Sequence, residues 1–383
     1  MSGRRVASTL LALALAVFVI LGGIDGSLGV AWPSIRTELD RGISDLGLIL
    51  AAASAGYLIA SMGFGSIHSR LGTAGALIAG GALLMAGTAG YALSPTWSLL
   101  ALSAAVAGLG GGLVDTGMNH HAALEFDVGS INLLHAAYGI GATAGPLLIT
   151  ASLTMSGTWR GGYGALAATQ LVVLLAIWRG RHGWSTERER SGDDLASPRR
   201  VLLLLYLVPF LMYTGVEVAT GQWAFSLLHE YRGLTTSAAG AWVAAYWGAL
   251  TAGRLLFGFV GDRVNAVVTL RVSLVTAIIG ALLLWWAPVA EGAIGLPVAG
   301  LGFAVVFPTL VSLTPGRMGR GRSARMMGYQ LAAANIGAAT IPWALGLLAE
   351  AKGLAILAPG LFVAAVLLLA VVLATSRPAS PSR

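Results

Sequence analysis

Three acidic residues lie inside long apolar stretches of this chain, where a charged side chain is costly. Asp115 begins a polar stretch that ends at Asn119, and the two share one helix face because they are four residues apart. Asp25 and Glu217 have similarly apolar neighbours. A carboxylate at the centre of a bilayer costs on the order of 2.5–3.5 kcal/mol on insertion scales. We identify no Lys or Arg deep in a span that would neutralise these acids. They are therefore candidates for a proton- or cation-coupled path, the alternative being that each acid only bonds a neighbouring helix.

The composition is that of a membrane protein with many spans. Of the 383 residues, 56% are hydrophobic and 10% are charged, whereas soluble domains are typically about 25% charged. The chain has no cysteine, and its six histidines show no zinc-ligand spacing, so we expect no metal site and no cofactor. The net charge of +7 comes from basic residues between apolar runs, which indicates membrane topology rather than a nucleic-acid partner.

Apolar runs long enough to cross a bilayer recur along the whole chain. A transmembrane helix needs about 20 apolar residues, and breaks at prolines, charge clusters and glycine-rich turns divide the sequence into twelve such runs. The predicted spans are 8–31, 45–66, 73–93, 97–122, 131–153, 161–179, 201–225, 237–260, 266–286, 293–314, 326–348 and 354–375. The first run is too long for the apolar core of a signal peptide and is predicted to remain as a span.

The basic residues between the spans predict the orientation. With the N-terminus in the cytoplasm, seventeen Arg or Lys residues fall in inside loops and five in outside loops. Because positive charge is enriched on the cytoplasmic side, we expect a multi-pass protein of the plasma (inner) membrane with both termini in the cytoplasm. The expected partners are the lipid bilayer, a small solute and the proton, and we expect a monomer.

The two halves of the chain resemble each other. Residues 65–70 after the second span correspond to 258–263 after the eighth at an offset of 193, and Asp25 corresponds to Glu217 within one residue of that offset. Such repeats indicate a duplicated six-helix unit. The longest polar segment lies between the halves. We predict an N-terminal six-helix bundle at 1–180, a cytoplasmic linker at 181–200 and a C-terminal six-helix bundle at 201–383.

The duplicated twelve-span pattern with a long central loop resembles the major facilitator superfamily. That family carries a Gly-x-x-x-Asp-Arg loop signature, matched after the eighth span by Gly258, Asp262 and Arg263. After the second span Gly65 and Arg70 match, whereas the acid of the signature is absent. The resemblance implies an all-α membrane protein with two pseudo-symmetric six-helix bundles around a central cavity. It also implies that spans one, four, seven and ten line the cavity and that the loop motifs act as gates.

A narrower resemblance is to the fucose–proton symporter family and related sugar transporters. Its fourth-span acid-Thr-x-x-Asn is matched by the stretch from Asp115 to Asn119, and its seventh-span pattern is matched by Gly215, Glu217 and Trp223. In that family, acids of the first and fourth spans serve proton coupling and sugar binding. By resemblance these roles fall on Asp25 and Asp115, and we expect Asp25 and Glu217, which occupy matching positions, to face the cavity.

Recognition of a sugar requires groups that pair with hydroxyls and an aromatic face for the C–H side of the ring. The spans offer amides, acids and rings for this purpose. The predicted substrate-binding residues are Asp115, Asn119, His135, Tyr138, Glu217, Gln222, Trp223, Gln330 and Asn335, and the predicted proton-coupling residues are Asp25, Asp115 and Glu217. Trp223 could instead belong to an interfacial aromatic belt, and His135 could bond a backbone carbonyl.

These patterns predict a secondary active transporter that takes up a sugar or similar small polar solute with protons by alternating access. The alternative is a proton-coupled efflux antiporter for drugs or metabolites, because residues 141–146 match the start of an antiporter pattern in the fifth span. The next residues depart from that pattern, which favours import. We find no nucleophile–base pair or metal cluster in the sequence that would indicate an enzyme.

Overall fold

The computed structural model of the chain describes residues 2–184, 200–260, 263–314 and 320–375, and its regular elements there are all helical. The helices are α1 (Ser2–Glu38), α2 (Leu46–Leu93), α3 (Trp97–Glu125), α4 (Val128–Ser156), α5 (Arg160–Arg179), α6 (Arg200–Phe225), α7 (Thr236–Val260), α8 (Ala266–Trp286), α9 (Val289–Gly292), α10 (Gly295–Phe303), α11 (Val306–Ser312), α12 (Arg320–Lys352) and α13 (Leu357–Thr375). A π-helical turn, Ser226–Tyr231, follows α6, and short 3-10 turns occur at Ile43–Asp45, Arg181–Gly183 and Leu354–Ile356.

The helix lengths agree with the predicted spans. In the described part of the chain, nine helices are long and apolar enough to cross a membrane, and one of these, Ile43–Leu93, has 51 residues. This long helix breaks at Gly72, whose φ of 69° is accessible to glycine without strain, so it supplies the second and third spans. α6 and α7 also have spanning length, with 26 and 25 residues. The predicted all-helical membrane fold is confirmed.

Polar caps explain where two of the helices begin. The carboxylate of Asp127 accepts the backbone N–H of Ser130 at 2.7 Å, which satisfies a donor at the start of α4. The side chain of Asn265 accepts the N–H groups of Val267 and Val268 at 3.0 and 3.1 Å at the start of α8. Both caps lie between apolar runs, where the sequence changes from loop to span.

Glycines allow unusually close helix packing in both halves of the chain. α1 packs against α4, and α6 packs against α12. A Cβ on Gly141 would lie 1.9 Å from the carbonyl oxygen of Val19, and one on Gly337 would lie 1.9 Å from that of Leu211. Because only a glycine fits at such distances, the backbones of each helix pair are in direct contact. The α1–α4 contact positions the acid of α1 against α4.

Several contacts between the halves lie at the end of the molecule where α1 ends and α2 begins, which we call the closed end. Arg36 in the last turn of α1 forms an ion pair with Glu230, at the end of the π-helical turn. The backbone N–H of Ser44 donates to Glu350 of α12 at 3.1 Å. Deeper in the fold, Gly29 brings α1 against α6, because a Cβ there would lie 2.5 Å from the carbonyl oxygen of Gln222. These contacts cover the cavity described next.

Candidate functional site

A cavity of about 360 Å³ lies in the interior, between helices of both halves. Its lining comes from α1–α7 and α12. The residues are Leu21, Ile24, Asp25, Leu28, Leu50, Ala53, Ser54, Tyr57, Leu84, Tyr91, Ala107, Gly108, Gly111, Asp115, Tyr138, Tyr163, Thr214, Val218, Gln222, Trp247, Asn335 and Ala338. The lining therefore combines apolar surface with four tyrosines, two acids and a few neutral polar groups. It contains no Arg, Lys or His among the described residues.

Asp25 reaches the cavity from α1. The hydroxyl of Tyr138 on α4 donates to its Oδ2 at 2.7 Å. The close α1–α4 packing fixes this pair, since a Cβ on Gly22 would lie 1.9 Å from the carbonyl oxygen of Tyr138. Asp25 and Tyr138, both predicted from the sequence, are thus brought into direct contact at the cavity wall.

Asp115 reaches the same cavity from α3 and is held by two donors. The hydroxyl of Tyr57 on α2 donates to its Oδ2 at 2.5 Å, and the amide of Asn119 donates to its Oδ1 at 2.9 Å. The amide of Asn119 also donates to the carbonyl oxygen of Asp115 at 2.9 Å. Asn119 does not line the cavity. Its hydrogen bonds hold it against the acid, as the four-residue spacing allows, and substrate contact by Asn119 stays a prediction.

Glu217 differs from the other two acids, and here the sequence-based expectation was wrong. Its Oε1 forms an ion pair with Nη2 of Arg254 at 3.0 Å, although we had identified no basic residue deep in a span. Arg254 lies within α7 and was absent from the loop charges that predict orientation. Glu217 is 7% exposed and does not line the cavity. A role of Glu217 in coupling or substrate binding stays a prediction, and it would have to operate with the acid paired to Arg254.

The helical period explains why Glu217 is turned away. Thr214, Val218 and Gln222 are four residues apart on α6, and all three line the cavity. Glu217 lies about 100° around the helix from Val218. This direction faces α7, where the hydroxyl of Tyr246 donates to the carbonyl oxygen of Glu217 at 2.7 Å.

The remaining predicted binding residues divide into two groups. Gln222 and Asn335 line the cavity. His135, Trp223 and Gln330 do not: the ring of His135 packs edge-on against Phe18, the indole N–H of Trp223 donates to the carbonyl oxygen of Pro342 at 2.9 Å, and the amide of Gln330 donates to Thr314 at 3.1 Å. Trp223 and Gln330 are buried in the packing, whereas His135 is exposed, and substrate contact by all three stays a prediction.

The cavity lining also departs from the pattern that the resemblance implied. No described residue of the tenth span lines the cavity, whereas α2, α4, α5 and α7 each contribute. Sequence reasoning missed Tyr57, Tyr91, Tyr163 and Trp247. Tyr57 and Trp247 lie well inside apolar spans, as Asp115 does, so a search for all hydrogen-bonding groups within the spans would have found them.

The loop motifs lie outside the cavity. Gly65, Arg70, Gly258 and Arg263 are all exposed. Asp262 lies outside the described residues. The gating role of these residues stays a prediction.

Comparison with known proteins places the chain among membrane transporters. The family profile described as Major Facilitator Superfamily matches residues 13–342. The chain is 26% identical over 284 residues to Sodium-dependent glucose transporter 1A of Mus musculus, covering 62% of this chain and 66% of the relative. It is 23% identical over 280 residues to Bypass of stop codon protein 6 of Saccharomyces cerevisiae, covering 65% of this chain and 56% of the relative. The chain thus spans between about half and two thirds of the length of these curated relatives.

Solved structures share the fold over nearly the whole chain. A point mutant of the nucleoside transporter NupG superposes with a TM-score of 0.81 at 12% identity, covering 97% of this chain and 100% of that one. The D-xylose–proton symporter gives 0.73 at 14% identity, covering 94% and 96%. FucP in the outward conformation gives 0.63 at 17% identity, covering 96% and 99%. At these identities the similarity establishes the fold alone.

Proposed function

This chain belongs to the Major Facilitator Superfamily of membrane transporters, and from that premise we propose that it takes up a sugar or similar small polar solute together with protons. The observation that carries the proposal is the pair of acids, Asp25 and Asp115, lining a cavity without a basic residue among its described lining. Acids of this kind can exchange protons and bond hydroxyls, whereas an anionic solute would be repelled. Similar proteins include a sodium-dependent glucose transporter and a D-xylose–proton symporter, which supports the same solute class.

Charge explains how the two events would be coupled. A cavity with ionised acids is costly to enclose between packed helices, away from water. Protonation of Asp25 removes one charge, and a solute hydroxyl donating to Asp115 satisfies the other acid. The loaded cavity then closes on one side and opens on the other at lower cost than the unprotonated cavity. Uptake of the solute therefore requires uptake of the proton.

We further propose that the two halves, 1–180 and 201–383, move as bundles joined by the linker at 181–200. We also propose that the protein lies in the plasma (inner) membrane with both termini in the cytoplasm, because arginines are in excess in the inside loops. In this orientation the closed end faces outward. Gly141 and Gly145 of the efflux pattern pack against the backbone of α1, so close helix packing accounts for these glycines without an antiport role, and we favour uptake.

Uptake by the purified full chain in proteoliposomes tests the proposal. D-glucose, D-xylose and uridine would be offered with an imposed pH gradient, with a sodium gradient, or with neither. We expect at least one solute to accumulate with the pH gradient. Accumulation with the sodium gradient alone would overturn proton coupling, and proton-driven export without uptake would favour the efflux alternative.

The variant Asp25→Asn should lose accumulation driven by the pH gradient while it retains exchange of labelled for unlabelled solute. The asparagine keeps the shape of the side chain but cannot release a proton. Glu291→Gln provides a control, because Glu291 is an exposed acid on α9 outside the cavity. Full gradient-driven accumulation by Asp25→Asn would remove Asp25 from the coupling path.

A further inference from the structure

Three polar atoms at the cavity wall formed by α6 and α7 have no hydrogen-bond partner among the described residues. They are Oγ1 of Thr214, Oε1 of Gln222 and Nε1 of Trp247. All three side chains line the cavity, and Gln222 and Trp247 are only 4% and 6% exposed. A buried polar group without a partner is costly, so such a group on a side chain that lines a cavity is a candidate to pair with what the cavity binds.

The structure fixes the direction of these groups. The other end of the Gln222 amide donates from Nε2 to the carbonyl oxygen of Asp25 at 3.1 Å, so the unpartnered Oε1 is an acceptor. The indole of Trp247 lies over Gly221, where a Cβ would come within 2.5 Å of its Cζ2. It also packs edge-on against Tyr246, with ring centroids 5.0 Å apart. Trp247 is therefore a preorganised donor.

The two walls of the cavity require different hydrogen-bonding groups on the solute. On the wall from the first half, ionised Asp115 only accepts hydrogen bonds. On the opposite wall, the indole N–H of Trp247 only donates, so the solute must present an acceptor oxygen there. An ammonium group cannot accept, and an anion would face two acids without a basic residue in the described lining. A neutral polyhydroxylated solute satisfies both walls.

We propose that Trp247, with Gln222 and Thr214, forms a neutral subsite that selects solutes carrying both an acceptor oxygen and a hydroxyl. This inference rests on the proposed function and identifies the residues of the same cavity that determine solute specificity. The subsite sets which solute binds, whereas the acids set the proton coupling. Trp247 is thus a specificity-determining residue, and no sequence pattern had indicated it.

Equilibrium binding to the purified full chain tests the subsite, with D-glucose, D-xylose, uridine, glucosamine and glucuronate as probes. We expect a neutral probe to bind best and glucuronate to bind worst. Trp247→Phe keeps the ring and removes the N–H, so the affinity for the neutral probe should fall about two- to tenfold. In proteoliposomes the number of protons moved per solute should stay unchanged. Trp285→Phe, on α8 and outside the cavity, is the matched control.

A second variant, Thr214→Val, keeps the subsite testable if Trp247→Phe fails to fold. It should also weaken binding of the neutral probe without changing the proton stoichiometry. Unchanged affinity in both folded variants would overturn the subsite and leave the proposed function standing. Binding of glucosamine alone, or of no neutral probe to the unaltered chain, would overturn the proposed solute class and the subsite with it.

Discussion

Three acids within the spans have two different kinds of partner. Asp25 and Asp115 each accept a tyrosine hydroxyl from a neighbouring helix, and both line the cavity. Glu217 instead pairs with Arg254 and lies outside the cavity. An ion pair with a guanidinium favours the charged form of a carboxylate more than a hydrogen bond from a neutral hydroxyl does. We infer that Asp25 and Asp115 carry coupling and that Glu217 joins α6 to α7.

At Asp115, replacement by Asn should weaken solute binding and flatten its pH dependence, because the shape is kept and the charge is lost. A hydrogen bond to a charged group contributes about 1.5–3 kcal/mol, or roughly tenfold to a hundredfold in affinity. Asn119→Ala should weaken binding less and retain the pH dependence, since Asn119 orients the acid from outside the cavity. Binding measured across pH, alongside melting temperature, checks both variants. Unchanged affinity in Asp115→Asn would indicate a purely structural acid.

At Glu217, the ion pair predicts a stability effect that depends on which partner is removed. Arg254→Leu should leave the buried carboxylate without compensation and lower the free energy of unfolding by about 3–5 kcal/mol. The double variant Arg254→Leu with Glu217→Gln should recover part of that loss, because no uncompensated charge remains. Thermal unfolding in detergent measures both. If the double variant were as unstable as the single one, the ion pair would not be the cause.

At the scale of the helices, contact between backbones determines how precisely the acids are placed. α1 meets α4 through Gly22, Gly26 and Gly141, and the Tyr138–Asp25 hydrogen bond spans the same helix pair. In the second half, α6 meets α12 through Gly215 and Gly337 in a similar way. Rigid packing of this kind holds hydrogen-bonding groups of different helices in register.

Gly141→Ala should therefore destabilise the protein, because the new Cβ would lie 1.9 Å from the carbonyl oxygen of Val19. Overpacking of a well-packed interior typically costs about 1–3 kcal/mol, and it should also loosen the Tyr138–Asp25 contact. Gly164→Ala in α5 is the control, since nothing lies within 4 Å of its added Cβ. That variant should be neutral or slightly stabilising. The melting temperatures of the two variants are to be measured, and equal values would contradict the packing argument.

At the scale of the whole molecule, contacts between the halves close one end of the cavity. The ion pair of Arg36 with Glu230 and the hydrogen bond of Ser44 to Glu350 lie there, and α1 meets α6 at Gly29 below them. A transporter that works by alternating access must break these contacts in each cycle. The closed end is thus the part of the structure that must open for the cavity to be reached from the other side.

Cross-linking can test this directly because the chain has no native cysteine. Arg36→Cys combined with Glu230→Cys, joined by a short bismaleimide, should abolish uptake, since the closed end can no longer separate. Solute binding should persist. Each single cysteine variant, treated with the same reagent, controls for the loss of the native side chain and for modification of one cysteine without a cross-link. Normal uptake by the cross-linked protein would mean that the closed end does not open during transport.

Much of this architecture follows from the sequence by itself. Apolar runs of about 20 residues between charged loops can only be satisfied as membrane-spanning helices, because backbone groups in a bilayer must bond within the segment. The same reasoning singles out Asp25 and Asp115, since an acid in such a run is too costly to be accidental. The four-residue spacing also placed Asn119 beside Asp115, as the structure has it.

The tertiary structure decided which of these residues share the cavity. Sequence spacing places side chains on one face of their own helix, but it does not say which neighbour that face meets. Glu217 therefore seemed equivalent to Asp25 until α7 brought Arg254 against it. Likewise, Tyr57, Tyr138 and Trp247 line one cavity only because helices of both halves pack around it. Such contacts depend on how separate helices are oriented against each other, and that orientation comes from packing along their whole length.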